Sequence, residues 1–250
     1  MYDIVYPLKA QEPNLDLIYS LRSLEKFGGE FGRIFVVGHK PCHIANITFI
    51  ERVQVLDKWC NTRENINAVC ECSEVSEKFV YFNDDFILTK TVEDWDDFCS
   101  CYMGTLMERF RRFEREGKDN SKWRNSFFFN SKLLRDLGVS EPLDFEYHGP
   151  ILFEKQKLQN MYTLEKVKPF AHVSTPLIFK RSLYGNLYPT GRKLRKIEDY
   201  KFMEDVKNFS ELTANGFFSV GDGIIGNNAK CPNLNVWLKN TFPDKSKFEE

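Results

Sequence analysis

Lys78-Phe79-Val80-Tyr81-Phe82 reads as a buried strand, and it runs straight into Asn83-Asp84-Asp85. Two neighbouring carboxylates on a tight turn are costly, because like charges disfavour joint ionisation. A divalent cation relieves that cost, and hard carboxylate oxygens suit Mg2+ or Mn2+. Such an ion neutralises a diphosphate and stabilises it as a leaving group. The same Asn-Asp composition also suits an ordinary turn, so the surrounding elements have to decide.

Three other residue types bear on chemistry. The chain has 4 histidines, and His148 stands in a Glu-Tyr-His-Gly-Pro loop where a backbone break presents it to a cleft. In that place it would act as general base on an acceptor hydroxyl, although a loop histidine also suits a plain surface. Arg63 and Arg181 are phosphate-clamp candidates, since a guanidinium matches phosphate oxygens bidentately. The basic segments 109–124 and 192–196, with Trp123 and Tyr188 nearby, suit either a solvated helix face or a polyanion site. The former run also contains Glu108, Glu114, Glu116 and Asp119 as neighbours or members. Cys70, Cys72, Cys99 and Cys101 form two C-x-C pairs, a spacing shorter than zinc ordinarily takes; free thiols are expected, with a zinc site as the alternative.

The elements that must position these residues alternate. Asp3 to Leu8 reads as a strand opening into a loop at Pro7. Asn14 caps a helix with Asp16 in its first turn, apolar positions recur at Leu15, Ile18, Leu21 and Leu24, and Gly28-Gly29 stops it near Phe27. Arg33 to Gly38 is an apolar strand, as expected of a sheet covered on both faces. Asn46 to Val55 is a third strand, and Asn61-Thr62 caps a helix running to about Cys72. Residues 105–125 and 151–164 read as helical, Phe217 to Gly223 as a late strand ending in an acid, and Leu234 to Asn240 as a closing helix. The pattern predicts an α/β fold with a mainly parallel central sheet and helical and loop additions in the C-terminal half. Ligands bind beyond the carboxyl ends of such strands, where Pro7, Gly38 and Asp84-Asp85 all fall.

The chain has 250 residues and 42% hydrophobic content, enough for one domain with a substantial core. Its net charge of −1 supplies no global field for a nucleic acid, so an anionic partner has to meet a local patch. There is no apolar run of about 20 residues that would span a bilayer. The first residues lack the pattern of a signal peptide, which predicts a cytoplasmic location, in a host cytoplasm if the chain is viral.

The order and spacing of these pieces resemble the Stealth family of sugar-1-phosphate transferases. Asp3 to Tyr6 is similar to its first block. Asn14 to Phe27, Arg33 to Val37, Asn61 and Ser76 to Phe86 are similar to the second. His148-Gly149-Pro150 and Arg181 match the third, and Gly221-Asp222 with Phe242 to Glu249 the fourth. Pro7-Leu8-Lys9 stands where the first block has a tryptophan, and Gly221 where the fourth has asparagine.

The resemblance implies a single GT-A-like nucleotide-sugar-binding domain over residues 1–250, with donor contacts in 1–100 and acceptor contacts in 101–250. It implies metal binding by Asp84, Asp85 and Asp222, and catalytic roles for His148, Asp85, Arg181 and Asp222. Donor contacts would come from Pro7, Lys9, Arg22, Asn61, Arg63 and Asn83. The expected activity is Mg2+- or Mn2+-dependent transfer of a sugar or sugar-1-phosphate from a nucleotide sugar, with UDP the expected nucleotide, to an acceptor hydroxyl on a glycan. Two alternatives remain open: a phage-type glycosyltransferase acting on modified DNA bases, and a non-catalytic module that binds nucleic acid or a partner.

Overall fold

The computed structural model describes residues 1–9, 13–53, 57–118, 121–173 and 175–250. Its first half runs β1 (Asp3–Leu8), α1 (Leu15–Phe27), β2 (Ile34–Gly38), β3 (Thr48–Glu51), α2 (Lys58–Glu71), β4 (Lys78–Tyr81) and β5 (Phe86–Leu88). After α3 (Trp95–Phe98) come β6 (Cys101–Tyr102), α4 (Leu106–Arg115), α5 (Lys122–Asp136), β7 (Ile151–Glu154), α6 (Lys155–Thr163) and α7 (Lys180–Leu187). The chain closes with β8 (Arg195–Lys196), β9 (Lys201–Phe202), α8 (Ser210–Ala214), β10 (Phe217–Val220) and α9 (Pro232–Thr241).

The central sheet has five strands in the order β3-β2-β1-β4-β7. All neighbours are parallel except β4 and β7, where Tyr81 pairs with Ile151. Alternation along the strands splits the core in two. Ile4, Tyr6, Leu8, Ile34, Val36 and Val80 face α1 through Leu17, Leu21 and Leu24. Val5, Phe35, Val37, Phe79 and Tyr81 face the other way, onto Ile66 and Val69 of α2, Phe127 of α5, Leu158 of α6 and Leu183 of α7. Apolar residues on both faces are what a doubly covered parallel sheet requires. A small sheet, β5-β10-β9, packs with α8 and α9 around Phe218, Leu234 and Leu238.

Several boundaries differ from the sequence reading. The second helix starts at Lys58, because the Asp57 side chain accepts from the Trp59 and Cys60 amides, rather than at Asn61-Thr62. The 105–125 stretch is two helices, broken where Gly117 takes a positive φ of 62°. The 151–164 segment begins as the antiparallel strand β7, whose four residues are too short to show a period. The third strand stops at Glu51, and its expected end at Val55 lies outside the described residues, as does Asp119. No helix among the described residues is long and apolar enough to cross a membrane.

Candidate active site

Sheet pairing gathers the acidic residues. Val5 pairs with Tyr81, so the chain leaving β1 at Pro7-Leu8-Lys9 emerges beside the chain leaving β4 at Asn83-Asp84-Asp85. Phe86 then pairs with Ser219, and the Val220 amide donates to the Asp85 carbonyl, which carries Asp222 to the same place. Ser219 in turn pairs with Lys201. Asp16 arrives from the first turn of α1, whose cap Asn14 accepts from the Leu17 amide and donates Nδ2 to Asp84 Oδ2 at 2.8 Å. These residues line one side of an open cleft of ≈ 410 Å³ at the carboxyl ends of the strands.

Burial and mutual repulsion dominate this wall. Desolvation, with Asp84, Asp85 and Asp222 close by, pushes Asp16 up to about 7. Desolvation also raises Asp84, against the hydrogen bond from Asn14. Two lysines partly offset the excess charge: Lys201 donates to Asp85 Oδ2 at 3.2 Å and Lys9 to Asp222 Oδ2 at 2.8 Å. The Lys9 bond holds the Asp222 carboxyl below its ordinary value. Asp85 Oδ1 is buried with no hydrogen-bond partner among the described residues. Among the described residues no group of three or more His, Cys, Asp or Glu is gathered closely enough to hold a metal ion. Asp222, 81% exposed and paired to Lys9, does not converge with Asp84 and Asp85 into the three-carboxylate set implied above. An adjacent pair with one orphaned buried oxygen still fits a hard cation, because Mg2+ is ordinarily held by one or two carboxylates plus substrate phosphates.

The other wall is built from the C-terminal half. Because β7 runs antiparallel to β4, the loop that precedes it, Tyr147 to Pro150, returns to the same strand ends. Gly149 lies against Phe217, where a Cβ would come within 2.1 Å of the ring. Arg181, buried at the start of α7, donates to the carbonyls of Tyr147 and Gly149 on either side of His148. Its guanidinium therefore fixes the loop, and the clamp expected on phosphate is engaged by main chain. His148 is held by Asp199, which accepts from the His148 amide through Oδ1 and pairs with Nδ1 through Oδ2, both at 2.8 Å. Burial pushes Asp199 up, but these bonds, the His148 charge and Arg109 outweigh it and leave the carboxyl below its ordinary value. A carboxylate at Nδ1 fixes that nitrogen as the donor, which leaves Nε2 of the neutral ring as the acceptor.

Of the residues expected to contact a donor, Pro7, Lys9, Asn61 and Asn83 line the cleft, with Asp84, Asp85, Asp222, His148 and Arg181. Arg22 does not: it forms a two-pronged bond to Glu249 and donates to the Phe242 carbonyl at 3.1 Å, tying α1 to the chain end. Arg63 lies outside the lining too, beside Glu64 at 3.7 Å. Several side chains of the basic runs are engaged where they stand. Arg109 meets Asp144 and Asp199, Arg192 meets Asp94, Asp96 and Asp97, and Arg195 donates to the Asn215 carbonyl. Arg109 and Arg192 are thus committed to protein carboxylates, and neither lines the cleft. No disulfide joins the cysteines among the described residues, and no cluster there could hold the zinc of the alternative reading. Asp199, Lys180, Lys201, Glu146 and Lys58 escaped the sequence reading. Only Asp16 had left a signal, as an acid in a first turn facing a strand end.

No family model matches the sequence, and no curated protein matches it either. The Stealth likeness therefore stays a resemblance of residues. Among solved structures, the galactosyltransferase LgtC, determined in complex with donor and acceptor sugar analogues, aligns with 98% of this chain and 98% of its own. The TM-score is 0.52 at 11% identity. Mouse xyloside xylosyltransferase 1 in its apo form aligns with 89% of this chain and 98% of its own, at a TM-score of 0.43 and 9% identity. At such identity the likeness concerns the backbone: the chain is an α/β domain with the GT-A fold that LgtC also has.

Proposed function

We propose that the protein transfers a sugar from a nucleotide-sugar donor to an acceptor hydroxyl. One observation carries the reading. A single cleft at the carboxyl ends of parallel strands sets a carboxylate wall, Asp84, Asp85 and Asp16, with a carboxylate-held histidine, His148 with Asp199. The GT-A fold supports the donor class, since LgtC was solved with donor and acceptor sugar analogues.

In this reading Asp84 and Asp85 would hold Mg2+ or Mn2+, which would neutralise the donor diphosphate. Pro7, Lys9, Asn61 and Asn83 flank the same stretch of cleft and position the nucleotide. The acceptor oxygen attacks the anomeric carbon, the bond from that carbon to the phosphate oxygen breaks, and the proton passes to His148 Nε2. Asp199 keeps Nε2 aimed at the cleft and stabilises the imidazolium that forms. Arg181 holds the loop in place through the two carbonyls that flank His148. The nucleoside diphosphate leaves.

A second reading, transfer of the sugar with its phosphate, is favoured by the His148-Gly149-Pro150 and Asn83-Asp84-Asp85 blocks that resemble the Stealth family. Attack would then fall on the β-phosphorus and release a nucleoside monophosphate. Incubation with manganese and a panel of UDP-, GDP- and CMP-sugars, followed by mass analysis of the released nucleotide, separates the two. If no nucleotide is released or bound, the donor site at Asp84 and Asp85 is wrong.

A further inference from the structure

Four lysines line the cleft, and they fall into two kinds. Lys9 and Lys201 are each bonded to a carboxylate of the acidic wall. Lys180 and Lys58 are not. Lys180 Nζ lies 4.8 Å from the centre of the Tyr81 ring, and Lys58 Nζ lies 5.7 Å from that of Trp59. Among the described residues neither ammonium has a carboxylate partner. Lys58 is exposed, which is ordinary for a lysine, but Lys180 is partly buried. Glu146, the acid nearest in influence to Lys180, uses Oε1 to accept from the Ser182 amide and hydroxyl. Burial, opposed by Glu146 but reinforced by Arg181 and Lys58, lowers the Lys180 ammonium to about 8. A desolvated cation with no direct ion pair is costly, and an anion entering the cleft lowers the cost.

The position of Lys180 narrows the source of that anion. It precedes Arg181, whose two bonds grip the carbonyls around His148. The helix that carries Lys180 thus also holds the loop of the proposed base, and the hydroxyl at that base belongs to the acceptor. The donor diphosphate meets the opposite wall, where Asp84 and Asp85 already call for a cation. Trp59 and Trp123 line the cleft as well and offer apolar faces to a sugar ring.

We propose that Lys180, assisted by Lys58, is an anion subsite that selects acceptors carrying a phosphate or carboxylate group. The inference rests on the sugar-transfer reading, and the donor's own phosphates are the other source of the same chemistry.

The test uses the full chain with manganese, whichever nucleotide sugar the donor panel identifies, and three matched acceptors: a neutral hexose, its 6-phosphate and its uronic acid. The wild type is expected to favour the charged acceptors in kcat/KM by about tenfold or more, the scale of one charge-assisted hydrogen bond. Lys180→Met, which keeps an apolar stem over Tyr81, brings that ratio close to one, with the loss falling on acceptor KM, and Lys180→Arg restores most of it. Equal use of neutral and charged acceptors by the wild type overturns the proposal. So does a Lys180→Met enzyme that keeps the preference while its donor KM rises, because the ammonium then serves the donor. If no nucleotide sugar is turned over, the sugar-transfer reading fails separately. Calorimetric titration of hexose 6-phosphate against hexose then decides the subsite: binding of the phosphate alone, lost in Lys180→Met, supports it, and equal or absent binding overturns it.

Discussion

Both walls of the cleft bury carboxylates, yet Asp16 and Asp84 on one move opposite to Asp199 on the other. On the acidic wall Asp16 rises to about 7 and Asp84 rises with it, since burial penalises each charged form and neighbouring carboxylates add to that penalty. On the opposite wall Asp199 falls below its ordinary value, because His148 gives it two hydrogen bonds and Arg109 a positive neighbour. Burial alone therefore does not set the charge of a cleft residue; its partners do. The acidic wall is short of positive charge and suits a cation with its diphosphate. The other wall is internally satisfied at His148 and short of negative charge at Lys180, which suits proton transfer and an anionic acceptor.

The contrast breaks most visibly at Asp85. Asp85→Ala is expected to lower turnover roughly 10⁴-fold, the several kcal/mol that cation-assisted leaving-group stabilisation supplies. The circular dichroism of the variant stays native, and activity close to wild type would remove the acidic wall from the chemistry. Next in size is His148→Ala, where loss of the general base costs kcat about 10³-fold. Single-turnover kinetics with saturating donor should place that loss in the chemical step. Asp199→Asn presents an amide nitrogen or a poorer acceptor to His148 Nδ1 and disturbs the tautomer. It should lower kcat about 10- to 100-fold with donor KM little changed, and a fall confined to stability would reduce Asp199 to a structural role.

Two smaller effects test the edges of the comparison. Arg22→Ala leaves the nearly buried Glu249 carboxylate without its guanidinium and is expected to cost about 2 kcal/mol of stability by urea unfolding. Its kcat and donor KM should remain within about twofold, as suits a residue outside the cleft; a large rise in donor KM would return Arg22 to the donor site. Asp16 supplies the pH dependence. Its folded pKa of about 7 lies above the ordinary 3.8, so the folded state holds the proton more tightly. Stability therefore falls as pH rises from the lower value to the upper one. Asp16→Asn should flatten that slope and gain on the order of 1 kcal/mol at pH 8. Unfolding curves at pH 5 and pH 8 that keep the wild-type difference would show that Asp16 does not drive it.

The acidic wall was legible early because its parts are local. Asp84 and Asp85 directly follow an apolar strand, and parallel strands present their carboxyl ends on one edge, so Pro7, Lys9 and Asn83 fall together with them. The second wall was legible at His148, whose Gly-Pro neighbours mark a break in the chain, and at Arg181, though as a phosphate clamp rather than a holder of the loop. Asp199 sits 51 residues from His148 in a stretch with no periodic pattern, and nothing in its neighbours announces the pairing. Lys180 left no signal, because the eight residues of α7 open without a side-chain cap.

By itself, the sequence determined the α/β alternation, the doubly covered sheet and the strand-end carboxylates, since these follow from hydrophobic period and from turns only a few residues long. Tertiary structure decided the rest. Antiparallel β7 brought His148 to the end of β4, and pairing of β10 with β5 brought Asp222 beside Lys9. The same packing assigned Arg22 to Glu249 and Arg181 to two carbonyls. A charged side chain takes whichever partner the folded chain sets beside it, and that choice is made by contacts between segments tens to hundreds of residues apart.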